Sequence, residues 1–158
     1  MLSKRTLFVL LLASILGAIL QAELKLEYQD YKKFTDLDFI DRSQKTGLKI
    51  FNKEVGRLKS LNELAANKGS LLIRFKDVDM AGEILPVGRS FEEARQITSA
   101  RPPKLKFDYA FIDADGSVSQ QGSETLLSLD FQYTLKRASS SSPFFYELTL
   151  LDEWAKSF

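Results

Sequence analysis

Three segments of the chain alternate apolar and polar side chains, and they cover residues 24–28, 70–78 and 104–111. In the last segment Leu105, Phe107 and Tyr109 occupy every second position. Successive side chains of a β-strand point to opposite faces of its sheet, so this alternation is typical of a strand with one buried face. The pattern therefore predicts three strands, each contributing one face to a core.

Two other segments repeat apolar residues every three or four positions, which is the spacing of one face of an α-helix. The first predicts one long helix over about residues 43–67, with Asn67-Lys68-Gly69 as its C-terminal stop. Its apolar positions are Leu48, Phe51, Val55, Leu58 and Ala65. The second predicts a C-terminal amphipathic helix. Its apolar positions are Phe144, Leu148, Leu151, Trp154 and Phe158.

The segments between these elements give weaker signals. Asp113-Ala114-Asp115-Gly116 is a hairpin turn signal, and it predicts a return strand over residues 117–123. Residues 79–88 contain two Gly and one Pro and predict a loop. Residues 89–99 fit a helix or a strand, and residues 126–133 either extend the sheet or form a short helix. The whole pattern predicts an α+β fold, in which an antiparallel sheet of about four to six strands is packed by one long helix and the C-terminal helix.

The N-terminus has the layout of a secretory signal peptide. Lys4 and Arg5 precede an uncharged apolar run from Leu7 to Leu20, and the expected cleavage follows Ala22. The run is 14 residues long, shorter than the roughly 20 that a membrane-spanning helix needs. We therefore expect a signal peptide over residues 1–22, a single domain over residues 23–158 without a transmembrane segment, and a periplasmic location. The alternative is an uncleaved anchor in the inner membrane.

Composition narrows the chemistry that is open to this domain. The 158 residues include no Cys and no His. Disulfides, zinc sites built on these residues, and nucleophiles activated by His are therefore excluded within the chain. Without Lys4 and Arg5, 20 basic residues stand against 21 acidic ones. Since nucleic-acid-binding domains usually carry a strong basic excess, we expect no nucleic-acid partner.

A set of short motifs occurs in order along the predicted domain. They are Phe34-Thr35-Asp36, Asp77-Val78-Asp79-Met80-Ala81-Gly82, Arg101-Pro102-Pro103-Lys104-Leu105, Asp113-Ala114-Asp115-Gly116, Leu129-Asp130 with Tyr133, Tyr146-Glu147, and Leu151-Asp152-Glu153-Trp154 with Phe158. In these motifs the chain resembles the exported proteins of Gram-negative bacteria that form domain-of-unknown-function family 3016. The resemblance implies an exported, periplasmic protein, but it does not indicate any particular activity.

Asp77 and Asp79 form the first candidate site. They lie at the end of a predicted strand, and alternate side chains of a strand share a face. Two carboxylates on one face could bind a hard divalent cation such as Ca²⁺ or Mg²⁺, or act as an acid and base pair. The structural alternative is that both cap the backbone N–H groups of the following turn. We predict no other cofactor. Asp113 and Asp115 fit the hairpin better than a calcium loop, because Val118 stands where an EF-hand loop needs Gly.

A basic stripe on the predicted long helix forms the second candidate site. It consists of Lys45, Lys49, Lys53 and Arg57, and we call it the basic stripe. Such a helix can dock on an acidic partner or on an anionic lipid surface, whereas the structural alternative is an ordinary solvated face.

The sequence favours a non-catalytic binding or interaction module with an unknown envelope protein or anionic surface as its partner. The alternative is a carboxylate-based metal-binding protein or hydrolase that uses Asp77, Asp79 and, as a further candidate, Asp130. A third hypothesis is a structural envelope protein with no small ligand.

Overall fold

The computed structural model describes residues 22–38, 42–87, 92–133 and 142–158. Within these ranges the chain folds as an α+β structure with a four-stranded mixed sheet, a two-stranded hairpin and three α-helices. The α+β prediction is confirmed. The signal segment up to Gln21 and most of the polar loop at residues 139–143 lie outside the described residues.

The main sheet contains the three strands that alternation predicted. These are β1 (Leu24–Tyr28), β2 (Ser70–Asp79) and β5 (Lys104–Ile112). A fourth strand, β6 (Val118–Leu127), completes the sheet, in which the strand order is β1-β2-β5-β6. β5 is antiparallel to both of its neighbours, β2 and β6, but β1 runs parallel to β2. The expectation of a wholly antiparallel sheet was therefore wrong for this pair. A parallel connection needs a crossover, and the helices between β1 and β2 supply it.

The predicted hairpin joins β5 to β6. The N–H of Gly116 donates to the carbonyl of Asp113 at 2.9 Å, and the N–H of Asp113 donates to the carbonyl of Ser117 at 2.8 Å. Gly116 has a φ of 85°, a conformation that glycine adopts without steric cost. The return strand extends beyond the predicted residue 123 to Leu127, and a short 3₁₀ helix follows over Phe131–Tyr133.

A second, two-stranded sheet occupies the region that was predicted as a loop or left undecided. β3 (Glu83–Val87) and β4 (Glu92–Gln96) pair in an antiparallel hairpin. The loop prediction for residues 79–88 was therefore wrong over β3, and residues 92–96 are a strand. Pro86 is accommodated because each strand of a two-stranded ribbon has a free edge, where a missing N–H breaks no ladder bond.

The predicted long helix is divided into α1 (Gln44–Val55) and α2 (Lys59–Lys68). The break follows Gly56, a poor helix former, and Leu58 takes an extended conformation with a ψ of 114°. The side chain of Asn62 stabilises the break by donating to the carbonyls of Gly56 at 3.1 Å and of Leu58 at 2.8 Å. Each helix therefore turns its own apolar face towards the sheet.

The core lies between one face of the main sheet and the helices. Phe75 of β2 and Phe107 of β5 are buried there with Phe51 of α1. The C-terminal helix, α3 (Phe145–Lys156), is confirmed, and its Trp154 packs on the ring of Phe107 with centroids 4.9 Å apart. Among the described residues no helix is long and apolar enough to cross a membrane.

Candidate functional site

Asp77 and Asp79 both make contacts that hold the fold together. The carboxylate of Asp77 accepts hydrogen bonds from the backbone N–H of Thr35 at 2.9 Å and from its hydroxyl at 3.2 Å. Asp79 forms an ion pair with Lys104 at 2.7 Å, and this contact raises the pKa of Lys104 above its ordinary value. Within the described ranges no three Asp or Glu side chains are grouped as a metal site would need. The metal site at Asp77 and Asp79 stays a prediction. The bonds of Asp77 are structural, but they reach back to Thr35 and do not cap the turn that follows β2. The N–H groups of Met80 and Ala81 in that turn donate to other carboxylates.

The carboxylate of Asp115 also serves a turn. It accepts hydrogen bonds from the backbone N–H of Ser117 at 2.8 Å and from its hydroxyl at 2.6 Å. These bonds lower the pKa of Asp115, because they stabilise its charged form. The Asp113–Gly116 segment is thus a hydrogen-bonded hairpin turn.

The basic stripe is exposed to solvent. Lys45, Lys49 and Lys53 are exposed on α1, and Arg57 is exposed in the turn after it. In the part of the chain that the structure describes, none of the four forms an ion pair. Glu54, the acidic residue within the stripe, instead accepts a hydrogen bond from the hydroxyl of Ser142.

A third cluster, which the sequence analysis missed, surrounds the turn that follows β2. The N–H of Met80 donates to Asp36 at 3.0 Å, and the N–H of Ala81 donates to Glu147 at 2.8 Å. Arg95 of β4 donates to the carbonyls of Ala81 at 3.3 Å and Gly82 at 3.1 Å. We call Asp36, Arg95 and Glu147 the Ala81 cluster.

Arg95 links the two carboxylates of the Ala81 cluster. Its guanidinium lies 3.4 Å from Asp36, with which it forms an ion pair, and its charge also acts on Glu147. Both partners of the ion pair are largely buried, with 14% and 23% of their side chains exposed. One strand, one helix and one loop are therefore joined at a single turn.

Glu147 is the most unusual member of the cluster. It is 1% exposed, and burial raises its pKa to about 7. The N–H of Ala81 and the charge of Arg95 lower that pKa in part, whereas the charge of Asp36 raises it further. Its Oε1 accepts the bond from Ala81, but its Oε2 has no hydrogen-bond partner among the described residues.

A cavity of about 210 Å³ lies against Glu147. Its walls combine the charged side chains of Glu147 and Arg95 with the apolar surfaces of Ile97, Phe145 and Tyr146. Phe145 and Tyr146 pack edge to face, with ring centroids 5.2 Å apart. A buried carboxyl with a perturbed pKa in a cavity of mixed polarity is a recurrent feature of ligand sites.

A larger concavity of about 590 Å³ lies on the face of the main sheet that points away from the helices. Its charged side chains pair with their neighbours across the strands. Arg74 binds Glu27 at 2.8 Å, and Lys76 binds Asp108 at 2.6 Å. Cross-strand ion pairs of this kind are typical of a sheet face that is exposed to solvent. The smaller cavity at Glu147 is therefore the better candidate for a ligand.

One sequence signal could have found Glu147. It lies three positions after Phe144 and four before Leu151, on the apolar face that the helical spacing defines. An acidic residue at such a position is buried with the face, and a buried acid indicates either a structural bond or a site. Glu147 combines both features: its Oε1 accepts the structural bond from Ala81, and its Oε2 has no hydrogen-bond partner among the described residues.

Asp36, Ala81-Gly82 and Glu147 each belong to one of the ordered motifs, whereas Arg95 lies outside them. The family model described as "Protein of unknown function (DUF3016)" matches residues 22–157. The chain belongs to this family. The family's description assigns no function. The comparison with curated proteins returned no match, and neither did the comparison with solved structures.

Proposed function

We propose that this chain is an exported, non-catalytic interaction module that binds an acidic surface of another envelope protein through the basic stripe. The observation that carries the proposal is the accessibility of Lys45, Lys49, Lys53 and Arg57. All four are exposed, and none forms an ion pair among the described residues. The non-catalytic part rests on the lack of His and Cys, and export rests on the pattern of the first 22 residues.

The spacing of the stripe favours an anionic partner. Lys45, Lys49 and Lys53 are four positions apart, so their charges are neighbours along one face of α1. Like charges at this spacing destabilise a helix by about 0.2–0.5 kcal/mol per pair. A partner that brings carboxylates to the stripe would remove this repulsion.

The packing of α1 favours a protein partner over a lipid surface. A helix that lies in a membrane interface inserts its apolar face among the lipids. In this chain Phe51 and Val55, on the apolar face of α1, are fully buried in the core. Leu48 and Ile50 also pack against the core, so the stripe has no free apolar flank to insert.

The test is binding of the purified protein to a poly-glutamate peptide and, separately, to vesicles of phosphatidylglycerol and phosphatidylethanolamine. The variant changes all four residues of the basic stripe to Glu. The matched control changes Lys25, Lys33, Lys59 and Lys156 to Glu, which alters the net charge equally. Each of these control residues is exposed and lies in a surface ion pair.

We expect the protein to bind the peptide with an affinity that falls as salt is added, since exposed charges are screened within about 10 Å at 0.1 M salt. The stripe variant should lose this binding, and the control should keep most of it. If both variants lose peptide binding equally, the binding depends on net charge alone, and the proposal is overturned. If the protein binds the vesicles more tightly than the peptide, and this binding depends on the stripe, the partner is a lipid surface and not a protein.

A further inference from the structure

We propose that the cavity at Glu147 binds a small organic cation, namely a primary amine with an apolar body. The site shares no residue with the basic stripe, so the inference goes beyond the proposed function and does not depend on it. It rests on three features of the cavity: an unused acceptor atom, the charge balance around it, and its apolar walls.

The unused acceptor is Oε2 of Glu147. Its residue is 1% exposed, and the atom has no hydrogen-bond partner in the described part of the chain. Nine in ten or more buried polar groups have such a partner, so an exception at the wall of a cavity calls for an explanation. An ammonium group has three donors and no acceptor, which makes it a direct complement to this oxygen.

The charge balance selects a cation over an anion. The charged groups that act on Glu147 are Arg95 of β4 and Asp36 of the loop after β1. These two form an ion pair with each other at 3.4 Å, so their charges largely offset. Within the ranges that the structure describes, an ionised Glu147 would then leave one negative charge without a counterion. An amine in the cavity supplies the missing positive charge, whereas a carboxylate would meet the charge of Glu147.

The remaining walls fit an apolar body of limited size. Phe145 and Tyr146 present aromatic surfaces, which attract cations as well as apolar groups, and Ile97 lies at the rim with 37% of its surface exposed. The volume of about 210 Å³ corresponds to roughly seven water molecules at about 30 Å³ each. A phenyl ring carrying a short aminoalkyl chain is of this size.

The test is isothermal titration of the purified protein with three probes that share one phenyl body: 2-phenylethylamine, 2-phenylethanol and 3-phenylpropionate. We expect the amine to bind, the alcohol to bind more weakly, and the carboxylate not to bind. The pKa of Glu147 is about 7, and the amine binds the ionised carboxylate. The affinity for the amine should therefore be about tenfold higher at about pH 8 than at about pH 6.

Two pairs of variants assign the binding to the cavity. Glu147→Gln retains the shape of the side chain and an acceptor for the N–H of Ala81, so it should lose both the preference for the amine and the pH dependence. Glu153→Gln, on an exposed position of the same helix, should change neither. Ile97→Lys places an ammonium at the rim and should block the amine even if Glu147→Gln disturbs folding. Leu127→Lys is its control, since Leu127 is 50% exposed on β6 and does not line the cavity.

Three results would overturn the proposal. The first is the absence of saturable amine binding at millimolar concentration. The second is amine binding that survives both Glu147→Gln and Ile97→Lys. The third is a preference for 3-phenylpropionate, which would make the cavity an anion site at Arg95.

Discussion

The carboxylate of Glu147 accepts a hydrogen bond from the backbone N–H of Ala81 at 2.8 Å, although the two residues are 66 positions apart in the chain. The bond joins the first turn of α3 to the turn that follows β2. It also fixes one oxygen of a carboxyl that is almost fully removed from solvent. We therefore expect the stability of the fold to depend on the ionisation of this buried acid.

Glu147 should make the free energy of unfolding fall as the pH rises from about 4.5 to about 7. Burial raises its pKa from 4.5 to about 7 in the folded chain. Below pH 4.5 the acid is protonated in both states, so it adds no pH dependence there. Between the two values the unfolded chain has released its proton and the folded chain has not, so stability is lost as the pH rises. The loss is up to roughly 3 kcal/mol, complete above about pH 7.

Urea unfolding across this pH range measures the effect. Glu147→Gln has no proton to release, and we expect it to lack this slope and to be more stable than the parent at about pH 8 by up to about 3 kcal/mol. Glu153→Gln, which is exposed on the same helix, should keep the slope of the parent. Parallel pH profiles for the parent and Glu147→Gln would show that the ionisation of this acid is not coupled to folding.

The sequence predicted those elements whose pattern is local. β5 from Leu105 to Phe111 and β2 from Leu71 to Phe75 have buried residues at every second position, because one face packs on helices and the other faces solvent. A register shift after Phe75 interrupts the alternation in β2, where Val78 is the next buried residue. Two features depended on long-range contacts and were missed. The parallel pairing of β1 follows from where the helical crossover returns the chain, and β3 forms a strand only because β4 pairs with it.

The candidate site was predicted less well than the fold, for a related reason. Asp36, Arg95 and Glu147 come from a loop, a strand and a helix, and no spacing in the sequence brings them together. Arg95 also lies in the segment that fitted either a helix or a strand. The residues of the basic stripe were easier to identify, since helical periodicity alone places Lys45, Lys49 and Lys53 on one exposed face.

Gly47 should be intolerant of even the smallest side chain. It is buried within α1, and a Cβ atom there would lie 1.9 Å from the backbone carbonyl oxygen of Leu37. The Gly47→Ala variant gains up to about 1 kcal/mol of helix propensity, but the helix must move away from the loop to admit the methyl group. We expect a net loss of about 2–3 kcal/mol in the free energy of unfolding, measured by urea denaturation.

Gly56→Ala provides the comparison for Gly47. Gly56 is exposed at the end of α1 in the right-handed helical conformation, and a Cβ there would be 3.1 Å from the carbonyl oxygen of Asn52. We expect its stability to change by less than about 1 kcal/mol. If both variants lose the same free energy of unfolding, the close approach of α1 to Leu37 is not the reason why position 47 requires glycine.

Phe158 should stabilise the C-terminal end of the core although it lies beyond the last residue of α3. Its ring packs edge to face on Trp154 with centroids 5.2 Å apart, and on Phe111 at 5.3 Å. Trp154 is 7% exposed, whereas Phe158 is 38% exposed and covers one side of it. Phe158→Ala should cost about 1–2 kcal/mol, because a half-buried ring and its aromatic contacts are lost.

The fluorescence of Trp154, the one Trp in the sequence, is a second measure of the loss of the Phe158 ring. Removal of the Phe158 ring admits water to the indole, so the emission maximum should move to longer wavelength in the folded variant. Tyr133→Ala is the control, since Tyr133 is 85% exposed and should leave both the emission and the stability unchanged. An unchanged emission maximum together with an unchanged free energy of unfolding in Phe158→Ala would mean that the terminal ring does not pack on the core in solution.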